Sequence, residues 1–424
     1  MNLGWFSELK QNERTTYWAC FWGYALESMD AQMFALVIPA LIEYLGINRG
    51  TAGTIGTAAL VGGLIGGPLG GLMADRVGRI RVLQLTILWV SLWTFASAFA
   101  DSSTQLIAAR FLQGIGYGAE SAVGAVLISE AIVPRLRGRI ASSIQSAYAV
   151  GYAMAVGIMP IVFMMFDGPI AWRVLFAIGI MPMFFIFYIR RFVPESPIYA
   201  ARADAEGKRR TRSREIFQQP YLRRTILATL QAMGTLGAAY VSIIWLPTYL
   251  RTVTHLAVAS TAGFLFINIS GSFVGPFVYG MLSDRLGRRR GVQIFLVCQA
   301  INMSTFTMAP IGPQLTLVLA FLQGGLQAGL ASAMLPAFAE LFPTRIRGAG
   351  QGFCLSGGRG LGSVVPTAVG YLSLTLPLGY AMGLCALGGY VLAFIAVCLL
   401  PETSGVDLRE DPATGDTPLA VAPI

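Results

Sequence analysis

The chain has 424 residues, of which 55% are hydrophobic and only 12% charged, with a formal net charge of +9. Soluble globular proteins carry roughly 25% charged residues, so this composition excludes a fully water-facing exterior and asks for a lipid-facing one. Five cysteines stand apart in apolar stretches without a Cys-x-x-Cys pair, and the only histidine is His255 in a connecting loop. Disulfide and metal-centre readings are therefore excluded, and no cofactor is expected. Glu8 and Glu13 precede a long apolar run without a small-residue cleavage site, so a cleaved signal peptide is not expected.

A bilayer needs roughly 20 apolar residues per helix. Twelve such stretches follow one another, at about 17–44, 51–74, 82–100, 105–133, 140–166, 170–193, 222–250, 257–283, 291–310, 314–341, 349–376 and 378–400. They predict an all-α integral membrane protein of two six-helix bundles. The first bundle covers residues 1–193 and the second 222–402. Residues 194–221 form a polar linker between them, and 403–424 a short, disordered cytoplasmic tail. Helix 2 carries Gly62, Gly66 and Gly70 on one stripe, a spacing that lets helix backbones approach closely.

Lys and Arg set the orientation through their cytoplasmic bias. With a cytoplasmic N-terminus, the outer loops hold Arg49, Arg173 and Arg251, and Arg110 and Arg359 lie inside spans. The other 25 of the 30 basic residues then face the cytoplasm. The positive charge is thus a membrane address, and no nucleic-acid partner is expected. Both termini are expected in the cytoplasm, at a bacterial inner membrane.

The second half repeats the first. Gly71-Leu-Met-Ala-Asp75-Arg76-Val-Gly78-Arg79 follows helix 2, and Gly280-Met-Leu-Ser-Asp284-Arg285-Leu-Gly287-Arg288 follows helix 8. Phe111-Leu-Gln113-Gly114 recurs as Phe321-Leu-Gln323-Gly324, Glu130 with Arg137 recurs as Glu340 with Arg347, and Pro194-Glu195-Ser196 recurs as Pro401-Glu402-Thr403. Duplicated membrane halves are a transporter architecture, with the solute site near the midplane. The Gly-x-x-x-Asp-Arg-x-Gly-Arg pattern resembles the major facilitator superfamily over essentially the whole chain. The Glu-x6-Arg spacing and the Pro-Glu-Ser and Pro-Glu-Thr ends resemble that superfamily's sugar and metabolite porters. A carboxylate beside clustered Arg at a helix end can cap a neighbouring helix and pair with guanidinium. The motif residues Gly71, Asp75, Arg76, Gly78, Arg79, Glu130, Arg137, Asp284, Arg285, Gly287, Arg288, Glu340 and Arg347 are therefore expected to form a cytoplasmic gate, latched when the halves touch on that side.

An ionisable side chain inside a membrane helix is costly and marks a functional path. Glu27 and Asp30 share a face of helix 1, Arg110 and Glu120 lie in helix 4, and Arg359 lies in helix 11. The three acids fall at similar depth. The repeat places no acid at the equivalents of Glu27 and Asp30, and no cation opposite Arg359, which aligns near Ala149. This asymmetry assigns proton handling to Glu27, Asp30, Glu120 and Arg110, and anion binding to Arg359 with Ser356. A narrower resemblance agrees. Glu27-Ser-Met-Asp30 and Ser356-Gly-Gly-Arg359-Gly are similar to the aromatic acid:proton symporters, and Arg110-Phe-Leu-Gln113 through Glu120 resembles helix 4 of the sialate porters. Those families imply proton-driven uptake of organic anions.

The leading reading is a monomeric proton:carboxylate symporter whose partners are the solute, the proton and the bilayer. A sugar or polyol porter and a non-transporting sensor are the alternatives. Nothing supports an enzyme, because the chain has no nucleotide-binding loop, metal site or nucleophile constellation. Single cysteines introduced at positions 205 and 255 should label from opposite sides of the membrane. Labelling of both from one side would refute the twelve-span topology.

Overall fold

The computed structural model describes residues 11–131, 143–144, 146–192, 213–309, 311–343 and 346–403, and all regular structure among them is helical. The first half contains α1 (Gln11–Tyr44), α2 (Arg49–Val77), α3 (Arg79–Ser97), α4 (Ser103–Ala131), α5 (Ala147–Met165), α6 (Gly168–Ile178) and α7 (Pro182–Phe192). The second contains α8 (Tyr221–Thr252), α9 (Val258–Leu286), α10 (Arg288–Met308), α11 (Pro313–Glu340), α12 (Arg347–Gly362), α13 (Val365–Leu372) and α14 (Leu378–Leu399). The helices give twelve spans, because α6 and α7 together make span 6, and α12 and α13 make span 11. Ten helical stretches among the described residues are long and apolar enough to cross a bilayer. Spans 4 and 11, which carry Arg110, Glu120 and Arg359, are the two outside that set.

The structure differs from the sequence reading at span ends and in two interiors. Helix α1 begins at Gln11, a turn and a half before the apolar run. Span 6 turns at 179–181 and restarts at Pro182, which lacks an N–H and suits a first helical position. Span 11 breaks at Ser363-Val364 for the related reason that Pro366 opens α13. Of the expected linker, a 3-10 turn at Ser213–Phe217 is described, and its Ile216 is buried in the core of the second half.

The halves pack in matching patterns. In the first, α1 packs on α5 and α2 on α4, with α3 beside α4. In the second, α8 packs on α12 and α9 on α11, with α10 beside α11. Two close approaches need glycine. A Cβ on Gly66 would overlap the carbonyl of Ile115, and one on Gly275 would overlap the carbonyl of Gly325. These are the same helix pair in the two halves, pressed backbone to backbone.

The halves meet at the face where span 1 ends and span 2 begins, here called the far face; the near face carries the linker. Thr57 Oγ1 donates to the Ser363 carbonyl (2.7 Å), Thr367 Oγ1 donates to Thr57 Oγ1 (2.7 Å), and Arg49 Nη1 donates to the Ser373 carbonyl (3.4 Å). A Cβ on Gly53 would sit 2.6 Å from the Pro366 carbonyl, and the Arg251 guanidinium lies 5.6 Å from the Phe163 ring centroid. One apolar cluster runs through both halves and includes Leu36, Trp172, Trp245 and Phe306.

Overpacking a close helix contact costs about 1–3 kcal/mol. Gly66→Val and Gly275→Val should each lower the thermal unfolding midpoint of the purified protein. Gly67→Ala, whose Cβ would meet only an ordinary contact at 3.7 Å, should leave it unchanged. Equal midpoints for all three would refute the close-packing account.

Candidate functional site: a charged midplane and its helix-end clasps

The repeated motif after spans 2 and 8 is a pair of tight joints. Gly78 and Gly287 adopt φ of +108° and +91°, a region that favours glycine. Each donates its N–H back into the preceding helix, Gly78 to Ala74 (3.2 Å) and Gly287 to Ser283 (3.0 Å). The following arginine folds over the same helix end in both halves. Arg79 Nη1 donates to the Ala74 carbonyl (2.9 Å), and Arg288 Nη1 donates to Ser283 Oγ (2.8 Å). Arg76 is exposed, as is Arg285, and a Cβ on Gly71 would meet nothing within 4 Å. The side chains of Asp75 and Glu130, and all of Arg137, lie outside the described residues.

In the second half the motif forms a clasp. Asp284 lies 3.5 Å from Arg288, whose Nε is 3.4 Å from Glu340. Glu340 also accepts from Thr403 Oγ1 (2.6 Å), and Arg347 Nε donates to the carbonyls of Ala339 (3.0 Å) and Phe342 (3.3 Å) at the end of α11. Glu402 accepts the backbone N–H groups of Arg288 (2.9 Å) and Arg289 (3.2 Å), which open α10. A carboxylate there satisfies orphan N–H groups and meets the positive end of the helix dipole. The sequence expects helix capping from the Asp of the motif; in the second half the structure gives it to Glu402 of Pro-Glu-Thr. These contacts join spans 8 to 12 within one half.

The embedded charges converge in the first half. Glu27, Asp30 and Glu120 bound one small cavity with Ile87, Val90 and Phe185. All three acids are buried, as is Arg110. Asp30 accepts from Gln113 Nε2 (2.6 Å) and Glu27 from Ser121 Oγ (2.6 Å). Arg110 lies in electrostatic range of Asp30, with its guanidinium 4.9 Å from the Phe34 ring centroid. Among the described residues, Arg110 Nε and Nη1 have no hydrogen-bond partner, while Asp30 also lies beside the Thr94 hydroxyl. Among the described residues, no group of three or more His, Cys, Asp or Glu could hold a metal ion.

The repeat explains the framework. Gln113 on span 4 binds Asp30 on span 1, and Gln323 on span 10 donates to Ser242 on span 7 (2.7 Å). Asn302 Nδ2 completes the second network by donating to Gln323 Oε1 (3.0 Å). One scaffold thus carries an ionisable network in the first half and a neutral one in the second.

Arg359 stands alone on the other side. It is half-buried on α12, and among the described residues it has no hydrogen bond and no ion pair within 4 Å. In electrostatic range are Tyr240 of span 7, Tyr117 of span 4, Tyr24 of span 1 and Glu27. Ser356 lies one turn earlier, exposed. The structure therefore brings Arg359 towards the first half's Glu27, while Arg110 keeps to Asp30.

The tyrosines were missed by sequence reasoning. Tyr24 lies 6.2 Å, centroid to centroid, from Tyr148, whose hydroxyl accepts from Gln32 Nε2 (2.9 Å). Their signal was available: ring-plus-hydroxyl residues at mid-span in four helices that also carry, or face, the embedded charges.

Two six-span halves around a charged midplane define a multi-pass membrane transporter, not an enzyme. The family profile described as Major Facilitator Superfamily matches residues 20–290 and 262–423, and the chain belongs to that superfamily. It is 36% identical over 407 residues to the probable 4-methylmuconolactone transporter of Cupriavidus pinatubonensis, covering 96% of this chain and 95% of that protein. It is 28% identical over 386 residues to the 3-(3-hydroxy-phenyl)propionate transporter of Escherichia coli, covering 90% and 92%. Its fold matches the inward-open xylose transporter XylE of E. coli with a TM-score of 0.72 and 20% identity, over 94% of this chain and 98% of that one.

The clasp makes its own prediction. Losing a capping carboxylate costs about 1 kcal/mol. Glu402→Ala should lower the thermal midpoint of the purified protein, and Glu402→Gln, which keeps the acceptor, should lower it less. An unchanged midpoint in Glu402→Ala would show that the cap is not stabilising.

Proposed function

We propose that the protein carries a small, planar organic carboxylate across the membrane together with protons, by alternating access. The observation that carries this reading is Arg359, a half-buried cation with no carboxylate within hydrogen-bond or ion-pair distance among the described residues, in electrostatic range of three tyrosines and Glu27. A guanidinium offers a carboxylate two parallel hydrogen bonds. Tyrosine rings offer flat apolar faces with a polar edge, which suits a conjugated acid better than a saturated sugar. Two relatives agree in kind: they are named for a muconolactone and for a phenyl-substituted propionate. A neutral sugar would leave Arg359 without a purpose.

Glu27, Asp30 and Glu120 carry the proton in this scheme. A carboxylate at the midplane is comfortable either protonated or paired with a cation. Three acids around one cavity, with Arg110 beside Asp30, can exchange these states when the halves move. Uptake is symport, in a monomer at the bacterial inner membrane. Both termini are cytoplasmic, the bundles span 1–193 and 222–402, and the far face is periplasmic. The near-face motif residues, Asp75 and Asp284 among them, form the gate that latches in the opposite closure.

The test is uptake of labelled benzoate and 3-phenylpropionate by proteoliposomes, with and without an inward proton gradient. Arg359→Ala should abolish uptake of both. Arg359→Lys keeps the charge without the planar fork, so affinity should fall about tenfold while transport persists. Asp30→Asn, fixed in the neutral form, should retain exchange of solute but lose accumulation driven by the gradient. Two outcomes would count against the scheme: accumulation by Asp30→Asn, or unchanged benzoate affinity in Arg359→Ala.

A further inference from the structure

Span 11 breaks one turn after Arg359, and the break leaves backbone groups to be satisfied. In a continuing helix the Ser363 N–H would bond the Arg359 carbonyl. It bonds the Gly360 carbonyl instead (3.3 Å), as does the Ser363 hydroxyl (2.6 Å). Pro366 has no N–H for the Gly362 carbonyl. The Ser363 carbonyl takes its hydrogen bond from the other half of the molecule, from Thr57 Oγ1 (2.7 Å), and Thr57 is itself oriented by the Thr367 hydroxyl (2.7 Å).

The two pieces of span 11 pack on different partners. Helix α12 lies against α8, with Gly358 and Gly362 pressed on Ala232, Met233 and Gly237. Helix α13 lies against α2 across the interface between the halves, where Gly370 meets the Arg49 backbone and Gly53 meets Pro366. It is also held to α8 by the Trp245 indole, which donates to the Pro366 carbonyl (3.0 Å). The break therefore falls between a piece seated mainly in its own half, touching the opposite half where Gly360 meets Leu64, and a piece seated mainly against the opposite half.

We propose that Thr57 is a positioning residue for Arg359. Its hydroxyl caps the break in span 11 while the far faces of the halves touch, and withdraws when they part. Thr57 and Ser363 belong to different halves, so the bond cannot survive their separation. With the cap in place, the last turn of α12 is held from outside its own half. Without it, the Ser363 carbonyl must find another donor, and the turn that carries Arg359 is free to open. Closure of the far face and the setting of the solute-binding cation thus become one event. The functional weight of this inference rests on the reading of Arg359 given above; its geometry does not.

Hydrogen–deuterium exchange of the full-length protein in lipid nanodiscs tests it at the amides of residues 359–364, without any solute. One hydrogen bond shifts such a local equilibrium about fivefold. Thr57→Val, which keeps the shape and loses the donor, should exchange about fivefold faster there. Thr57→Ser, which keeps the hydroxyl, should match the unaltered protein. Unchanged exchange in Thr57→Val would overturn the proposal, and so would equal acceleration in Thr57→Ser, which would point to lost packing. If Thr57→Val does not reach the membrane, Thr367→Val removes only the bond that orients the Thr57 hydroxyl. A smaller acceleration in that variant supports the proposal, and none overturns it. A wrong reading of Arg359 would appear separately, as benzoate uptake that survives Arg359→Ala while the exchange results stand.

Discussion

In hydrocarbon an unpartnered polar group has no water to turn to, and much of this structure follows from that single constraint. Helices close their own backbone bonds, so the chain is helical wherever it crosses. Where a helix must end or break, a partner arrives from elsewhere. Gly78 and Gly287 turn their own N–H groups back into the preceding helix, Glu402 receives the first N–H groups of α10, and Thr57 donates to the Ser363 carbonyl at the break in span 11. The same constraint makes the buried charges conspicuous. Asp30 is held by Gln113 and neighboured by Arg110, but among the described residues two of the arginine nitrogens remain without a hydrogen bond. Groups left in that condition inside a membrane cost stability, and function is the ordinary reason to keep them.

Most of the architecture was legible because its signals are long-range in sequence and simple in physics. An apolar run sized to a bilayer, a lopsided distribution of arginine and a repeated motif need no tertiary detail. Glu27, Asp30, Arg110, Glu120 and Arg359 were legible for the same reason, since a charge in an apolar run is visible in one dimension. The breaks at 179–181 and Ser363-Val364 were not. Pro182 and Pro366 hint at them, but Pro39 and Pro276 sit inside unbroken helices of the same protein. Which proline breaks a helix depends on what stands ready to satisfy the freed carbonyls, and Thr57 is remote from Ser363 in sequence.

The tyrosines and Glu402 show the opposite difficulty. Tyr24, Tyr117, Tyr148 and Tyr240 each read as packing when taken alone. Only the fold brings rings from four spans into one neighbourhood, with Arg359 in electrostatic range of three of them. Glu402 reads as the end of a helix, and its work as a cap for α10 appears only when span 12 is laid beside span 9. In both cases the residue type was ordinary and the juxtaposition carried the information. The repeat could have narrowed the search, because Gln113 and Gln323 sit at equivalent points of two networks: Gln113 binds a carboxylate, and Gln323 a hydroxyl.

That difference has an electrical side. A charge that moves through part of the membrane field exchanges energy with it, about 2.3 kcal/mol per elementary charge per 100 mV for a full crossing. The second half is neutral in its interior network and bears a guanidinium on α12, whereas the first sets its buried cation in electrostatic range of Asp30. If the halves rock as proposed, Arg359 would travel with one of them and take its charge along. An anion seated on it would cancel that charge, so a loaded carrier and an empty one would feel the resting potential differently. The voltage across the cell membrane would then act chiefly on the empty carrier, and the asymmetry between two once-equivalent halves would decide which leg of the cycle the cell's electrical energy drives.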